Sequence, residues 1–127
     1  MADITKIYTS KAPDAIGPYS QAVTAGGMVF TSGQIPVDPE TGEIDGKDIK
    51  TQACRVMKNL AAVLKEAGTS PEKAVKTTCF LRDMDDFADF NQVYAEFFTE
   101  KPARSCVAVK TLPKDVLCEV EVIALKD

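Results

Sequence analysis

The chain contains no histidine and no tryptophan in 127 residues. The first absence removes Ser-His-Asp and Cys-His nucleophile systems and every imidazole-ligated metal site. Acid–base chemistry must then rest on carboxylates, cysteine, tyrosine, lysine, backbone groups or water. The four cysteines, Cys54, Cys79, Cys106 and Cys118, include no C-x-x-C pair, so zinc and thioredoxin-type sites fail on spacing. Four free thiols in a reducing compartment is the expectation. Neither G-x-x-x-x-G-K nor G-x-G-x-x-G occurs, so no nucleotide site is suggested. No apolar run approaches the roughly 18 residues of a membrane span. The opening MADITKIYTS carries no apolar signal core, which points to a cytoplasmic protein with no membrane partner. Basic residues are scattered, and the net charge is −4 with a pI near 4.9. Both facts argue against nucleic acid as a constitutive partner, because phosphate binding needs a basic footprint.

What is present is ordinary for a soluble globular protein: 45% hydrophobic and 27% charged residues. The length fits one domain, residues 1–127. A chain this short buries only about two-thirds of its unfolded surface, so burial in an oligomer would help.

Residues 4–9 alternate weakly and suit an edge strand. SQAVTA (20–25) and MVFTSG (28–33) flank Gly26-Gly27 and read as a hairpin. A turn-rich loop follows over 35–46. Ile49, Ala53, Val56, Met57, Leu60, Val63, Leu64 and Ala67 recur at helical spacing within 47–67, and Gly68 is a natural stop. VKTTCFL (75–81) is a strand. A second helix over 86–98, capped by Asp85 or Asp86, places Phe87, Phe90, Val93, Tyr94, Phe97 and Phe98 on one side. RSCVAVK (104–110) and LCEVEVIAL (117–125) complete the set as strands.

The fold class is α+β. Two amphipathic helices can cover one face of a sheet of about six strands, and the other face needs a partner. Cys118, Val120, Val122 and Ala124 alternate with Glu119, Glu121, Ile123 and Leu125. Matching valine faces puts Ser105, Val107 and Val109 towards the helices. Arg104, Cys106, Glu119 and Glu121 then share the opposite, partner-seeking face.

Arg104 is the candidate anion receptor, because guanidinium matches a carboxylate bidentately; the plain alternative is a salt bridge to Glu119, Glu121 or an aspartate. Glu119 is the candidate acid–base group, as a partly buried carboxylate replaces a missing histidine. Its alternative is to be Arg104's partner or an outward strand residue. Cys106 is either a nucleophile or a packed thiol, with packing favoured because no base is positioned beside it. Tyr19 in G-P-Y, Ser32 and Gly33 in T-S-G-Q, and Asn91 in DFNQVY are candidate substrate contacts. Turn chemistry, or for Asn91 an exposed helix position, is the alternative for each.

AIGPYSQAV (15–23), TSGQIPVDPETGE (31–43), VKTTCFLRDMDDFADFN (75–91), PARSCVAV (102–109) and LPKDVLCEVEVIAL (112–125) together resemble the Rid family of reactive enamine/imine deaminases, also called the YjgF group. P-A-R-S-C and the downstream glutamate point to its RidA branch. The likeness covers essentially the whole chain. It implies a chorismate-mutase-like fold whose last strand inserts between earlier ones, built as a homotrimer with clefts between subunits. It also implies hydrolysis of 2-aminoacrylate, 2-iminopropanoate and 2-iminobutanoate to 2-oxo acids and ammonia, with no cofactor and no metal. In that scheme Arg104 pairs with the substrate carboxylate. Glu119 and the Cys106 carbonyl orient water, and Tyr19, Ser32, Gly33 and Asn91 line the pocket. Family members have also been described as ribonucleases or translation inhibitors, and some subgroups lack the arginine or the glutamate and suit a ligand-binding or chaperone-like role. One departure stands out: FFTEKPARS is shorter than the family pattern, so the loop beside Arg104 is expected to differ.

Overall fold

In the computed structural model, which describes residues 3–127, a two-glycine turn sets the first register. Gly26 and Gly27 both have positive φ (57° and 77°), the combination a type I′ hairpin turn requires. They join β2 (Ala22–Ala25) to β3 (Met28–Thr31), and β1 (Thr5–Ile7) pairs outside β2.

Helix α1 (Ile49–Glu66) starts where the Asp48 carboxylate accepts the Thr51 N–H at 3.0 Å. It stops at Gly68 (φ 83°), whose N–H reaches the Lys65 carbonyl while that of Thr69 reaches Leu64. This is a Schellman ending that glycine accommodates without strain. Then come β4 (Ala74–Leu81), α2 (Phe87–Phe97), β5 (Ala103–Ala108) and β6 (Cys118–Leu125). Before α2 it is Asp83 that caps, accepting the Asp85 N–H in a short 3-10 turn, while Asp86 makes no side-chain cap.

The sheet order is β1-β2-β3-β6-β4-β5. The last strand thus lies between β3 and β4, antiparallel to both, as the family resemblance implies. Strands β4 and β5 are parallel, which makes the sheet mixed.

Both helices cover one face. The α1 stripe Val56, Leu60, Val63 and Leu64 is fully buried against Cys118, Val120, Val122 and Ala124 of β6 and Val29 of β3. Each such leucine contributes about 2 kcal/mol by leaving water. From α2, Phe90, Tyr94 and Phe98 extend the same core. The other face has no helix over it, and Phe30, Val107 and Leu125 there are 39%, 46% and 52% exposed. Among the described residues, no helix is long and apolar enough to cross a membrane.

One face assignment is overturned. Strand β5 aligns Arg104 with Thr77 and Cys106 with Cys79, and both β4 partners are buried under the helices. Paired residues project to the same side of a sheet. Arg104 and Cys106 therefore face α2, while Ser105 and Val107 face outward with Glu119 and Glu121. Valine matching failed because β5 is the edge strand. It runs beyond the centre of the core, so its apolar side is not the covered side.

Candidate functional site

Arg104 is held from the α2 side. Its Nη1 donates to Asn91 Oδ1 at 2.8 Å, and the guanidinium lies 4.7 Å from the Tyr94 ring centroid and 5.4 Å from that of Phe87. Asn91, Phe87 and Tyr94 stand three and four residues apart, so one helix face presents all three. No carboxylate forms a salt bridge with Arg104 among the described residues. The salt-bridge alternative is therefore not realised within the protomer, and a half-buried cation keeps donors to spare.

The chain reaches Arg104 through the short segment after α2. Phe98 ends the helix, packed edge-on against Phe97, and Lys101 takes a left-handed conformation (φ 52°) before Pro102 leads into β5. The FFTEKPARS segment is thus a tight reversal, and Arg104 enters the sheet directly beneath α2.

Cys106 sits beside Cys79 on the same face. Burial raises its thiol above the usual range, with Arg104 opposing in part. Cys79 and Cys118 are pushed up to about 12, chiefly by burial. None of the three is a ready thiolate at neutral pH. The backbone of Cys106 is a different matter. Val109 donates its N–H to the Leu81 carbonyl of β4, and successive strand residues direct their amide groups to opposite sides. Cys106 therefore turns its N–H and C=O to the open edge of the sheet.

Glu119 belongs to a second, separate wall. Its carboxylate lies over Gly33, where a Cβ would come within 2.8 Å of Glu119 Cδ. Only a glycine leaves that space. Gly33 is fixed because the next residue, Gln34, exchanges backbone hydrogen bonds with Val120 (2.8 and 3.2 Å). Burial raises the Glu119 carboxyl above its ordinary value, and Glu121 on the same face raises it further. Ser32 flanks this wall, with its hydroxyl donating to the Ser20 carbonyl at 2.6 Å. Tyr19 is half exposed, and its hydroxyl accepts the Ile16 N–H at 3.4 Å. Tyr19 and Gly33 also border a small solvent-open groove with Ile16, Gln34, Val37 and Lys114.

The expected residues thus form two groups. Arg104 and Cys106 lie under α2 with its Asn91, while Glu119, Gly33, Ser32 and Tyr19 lie together around the β3–β6 seam of the open face. Register separates them: Glu119 is opposite Phe80, which is opposite Val107, three residues past Arg104. Two strand spacings and three residue rises put the backbones about 14 Å apart, with side chains on opposite faces. One small molecule cannot touch both groups of a single protomer. The sequence reading missed the aromatic support of Arg104 by Tyr94 and Phe87 and the part of Thr77, whose hydroxyl meets the Tyr94 hydroxyl at 2.7 Å. Their spacing with Asn91 on α2 is the available signal, but the same spacing equally suits a core face.

Residues 9–126 match the Endoribonuclease L-PSP family. A RutC family protein of Pyrococcus abyssi is 57% identical over 122 residues, 95% of this chain and 96% of that one. Among solved structures, YyfA of Yersinia pestis, described as a conserved Rid family protein of unknown function, superposes with a TM-score of 0.94 at 46% identity, covering 97% of this chain and 99% of that one. TdcF of Escherichia coli, solved with bound serine, gives a TM-score of 0.92 at 50% identity over 97% and 99% of the two chains. The chain belongs to the Endoribonuclease L-PSP family, the YjgF/Rid group that its sequence motifs resemble.

Proposed function

We propose that the protein hydrolyses small 2-imino acids, and their enamine tautomers, to 2-oxo acids and ammonia, in clefts where the Arg104 wall of one copy meets the Glu119 wall of another. The observation that carries this is a half-buried arginine held by an amide and two aromatic rings but by no carboxylate among the described residues. Such a group is built to receive an anion from outside. The two walls are different surfaces, so copies meet head to tail, and a ring of three gives three equal clefts. The exposed apolar side chains of the open face would be covered by the same contact.

The chemistry asks little beyond placement. An iminium carbon is already electrophilic, so positioning the substrate and one water supplies most of what is needed. Arg104 binds the carboxylate. Water, oriented by the Cys106 carbonyl and Glu119, adds its oxygen to the imine carbon and gives its proton to Glu119. Glu119 returns that proton to the nitrogen of the resulting carbinolamine, whose C–N bond then breaks as the hydroxyl oxygen forms the C=O, and the hydroxyl proton passes through Glu119 to the released ammonia. The products are a 2-oxo acid and ammonium. A carboxylate with a raised pKa suits both halves of this exchange. Tyr19, Ser32, Gly33 and Asn91 shape the cleft. TdcF, solved with serine, shows a family member holding a small amino acid. Two walls brought together at a junction between copies would suit such a ligand here.

A second reading comes from the family's name, which describes an endoribonuclease. The net charge of −4 and the absence of histidine weigh against it. One assay separates the two. 2-Iminobutanoate is generated in situ by threonine dehydratase and trapped with semicarbazide. The protein is expected to suppress semicarbazone formation, and Arg104→Ala is expected not to. Equal protection by both would contradict the deaminase reading, and RNA cleavage lost in the same variant would support the second.

A further inference from the structure

Arg104 carries its charge on a flexible side chain, and its hydrogen bond to Asn91 fixes only one nitrogen. The remaining restraint comes from beneath. The Tyr94 ring lies 4.7 Å from the guanidinium, and the Tyr94 hydroxyl is 2.7 Å from that of Thr77 on β4. Thr77 is 1% exposed and Tyr94 8%. Thr77 is also the register partner of Arg104. A ring that swung away would leave two buried hydroxyls unpaired, which is unfavourable. The ring is therefore locked at both ends, by packing against Phe90 and Phe98 and by the bond to Thr77.

We infer that Tyr94 and Thr77 form a positioning device for Arg104, holding the guanidinium plane against the ring so that its unused donors stay aimed at the cleft. This rests on the reading of Arg104 as the carboxylate receptor. Neither residue touches substrate; both act through Arg104. The device explains why a tyrosine, not a phenylalanine, occupies the middle of an otherwise Phe-rich helix face. Burial raises the phenol's pKa, with the Thr77 bond opposing, so it stays protonated and keeps that bond.

The test compares Tyr94→Phe, Thr77→Val, the pair together, and Tyr94→Leu. In the imine assay, Tyr94→Phe and Thr77→Val should each raise KM by about threefold with kcat little changed, since a guanidinium that wanders weakens carboxylate binding. The double variant should be no worse than either single one, because both remove the same bond. Tyr94→Leu should raise KM about tenfold, and Tyr94→Phe should recover most of that loss. NMR relaxation of the Arg104 Nε–H gives a second readout on unliganded protein, with order falling from wild type through Tyr94→Phe to Tyr94→Leu. Unchanged KM and unchanged Arg104 order in Tyr94→Leu would overturn the inference, as would a fall in kcat alone. If the wild type consumes no imine, the deaminase reading fails. The Arg104 relaxation series then still decides whether Tyr94 and Thr77 hold the guanidinium.

Discussion

The two walls of the proposed cleft are built in contrasting ways. Around Arg104, side chains hold a side chain: an amide, two rings and a buried hydroxyl pair fix a long, flexible cation. Around Glu119, backbone holds a side chain: the Gln34–Val120 bridge fixes Gly33, and the missing Cβ makes room for the carboxylate. The difference follows the chemistry. A guanidinium keeps its charge even when buried, so it needs aiming. A carboxylate changes its proton affinity with its surroundings, so it needs a defined degree of burial.

Removing each element in turn separates the walls. The largest effect belongs to Arg104→Ala, which should lower kcat/KM at least 100-fold by deleting a charge-assisted bidentate contact. Arg104→Lys should recover little of it, since an ammonium lacks the planar fork. Gly33→Ala comes next. A Cβ there displaces the Glu119 carboxylate, so turnover should fall by roughly tenfold or more while binding of 2-oxobutanoate to Arg104 is retained. Equal loss of binding and turnover would show that the walls are not separable.

The Glu119 wall also predicts a pH signature. Its carboxyl is raised, so the folded state holds the proton more tightly than the unfolded chain. The favourable contribution is complete below the unfolded carboxyl pKa and is lost as pH rises through the folded one. Activity that needs the carboxylate as base moves the other way and rises through that same pKa. Glu119→Gln should flatten both the stability profile and the acid limb of the rate profile, as measured by thermal melts and initial rates. The smallest effect is expected for Cys106→Ala. The thiol is held protonated and the proposed contact is the carbonyl, so kcat/KM should change by less than about threefold. A large loss there would return the thiol to consideration.

Much of the architecture was legible in the sequence because it rests on local patterns. The Gly-Gly hairpin turn, the α1 stripe closed by Gly68 and the alternation of β6 all reappear in the structure. The family motifs supplied the insertion of β6, which alternation alone cannot give. The faces of β5 were not legible. Period-two counting divides a strand into two sides but does not say which side is covered, and at a sheet edge the apolar side can be the open one. That error had placed Arg104 and Glu119 on one face of one chain. The parallel register of Cys79 with Cys106 moves them to opposite faces, so the two walls of the proposed cleft come from opposite sides of the sheet. Tyr94 and Thr77 escaped notice because a buried tyrosine and a strand threonine look like packing until the guanidinium above them is located.

The sharing of the site between copies is tested most directly by complementation. Arg104→Ala and Glu119→Gln are each expected to keep only a small residual activity alone, on the order of a hundredth of wild type or less. Mixed under conditions that exchange subunits, an Arg104 wall from one variant meets a Glu119 wall from the other in roughly a quarter of the clefts. Activity should return to about that fraction of wild type. No recovery after exchange has been verified by mass spectrometry would contradict a cleft built from two chains.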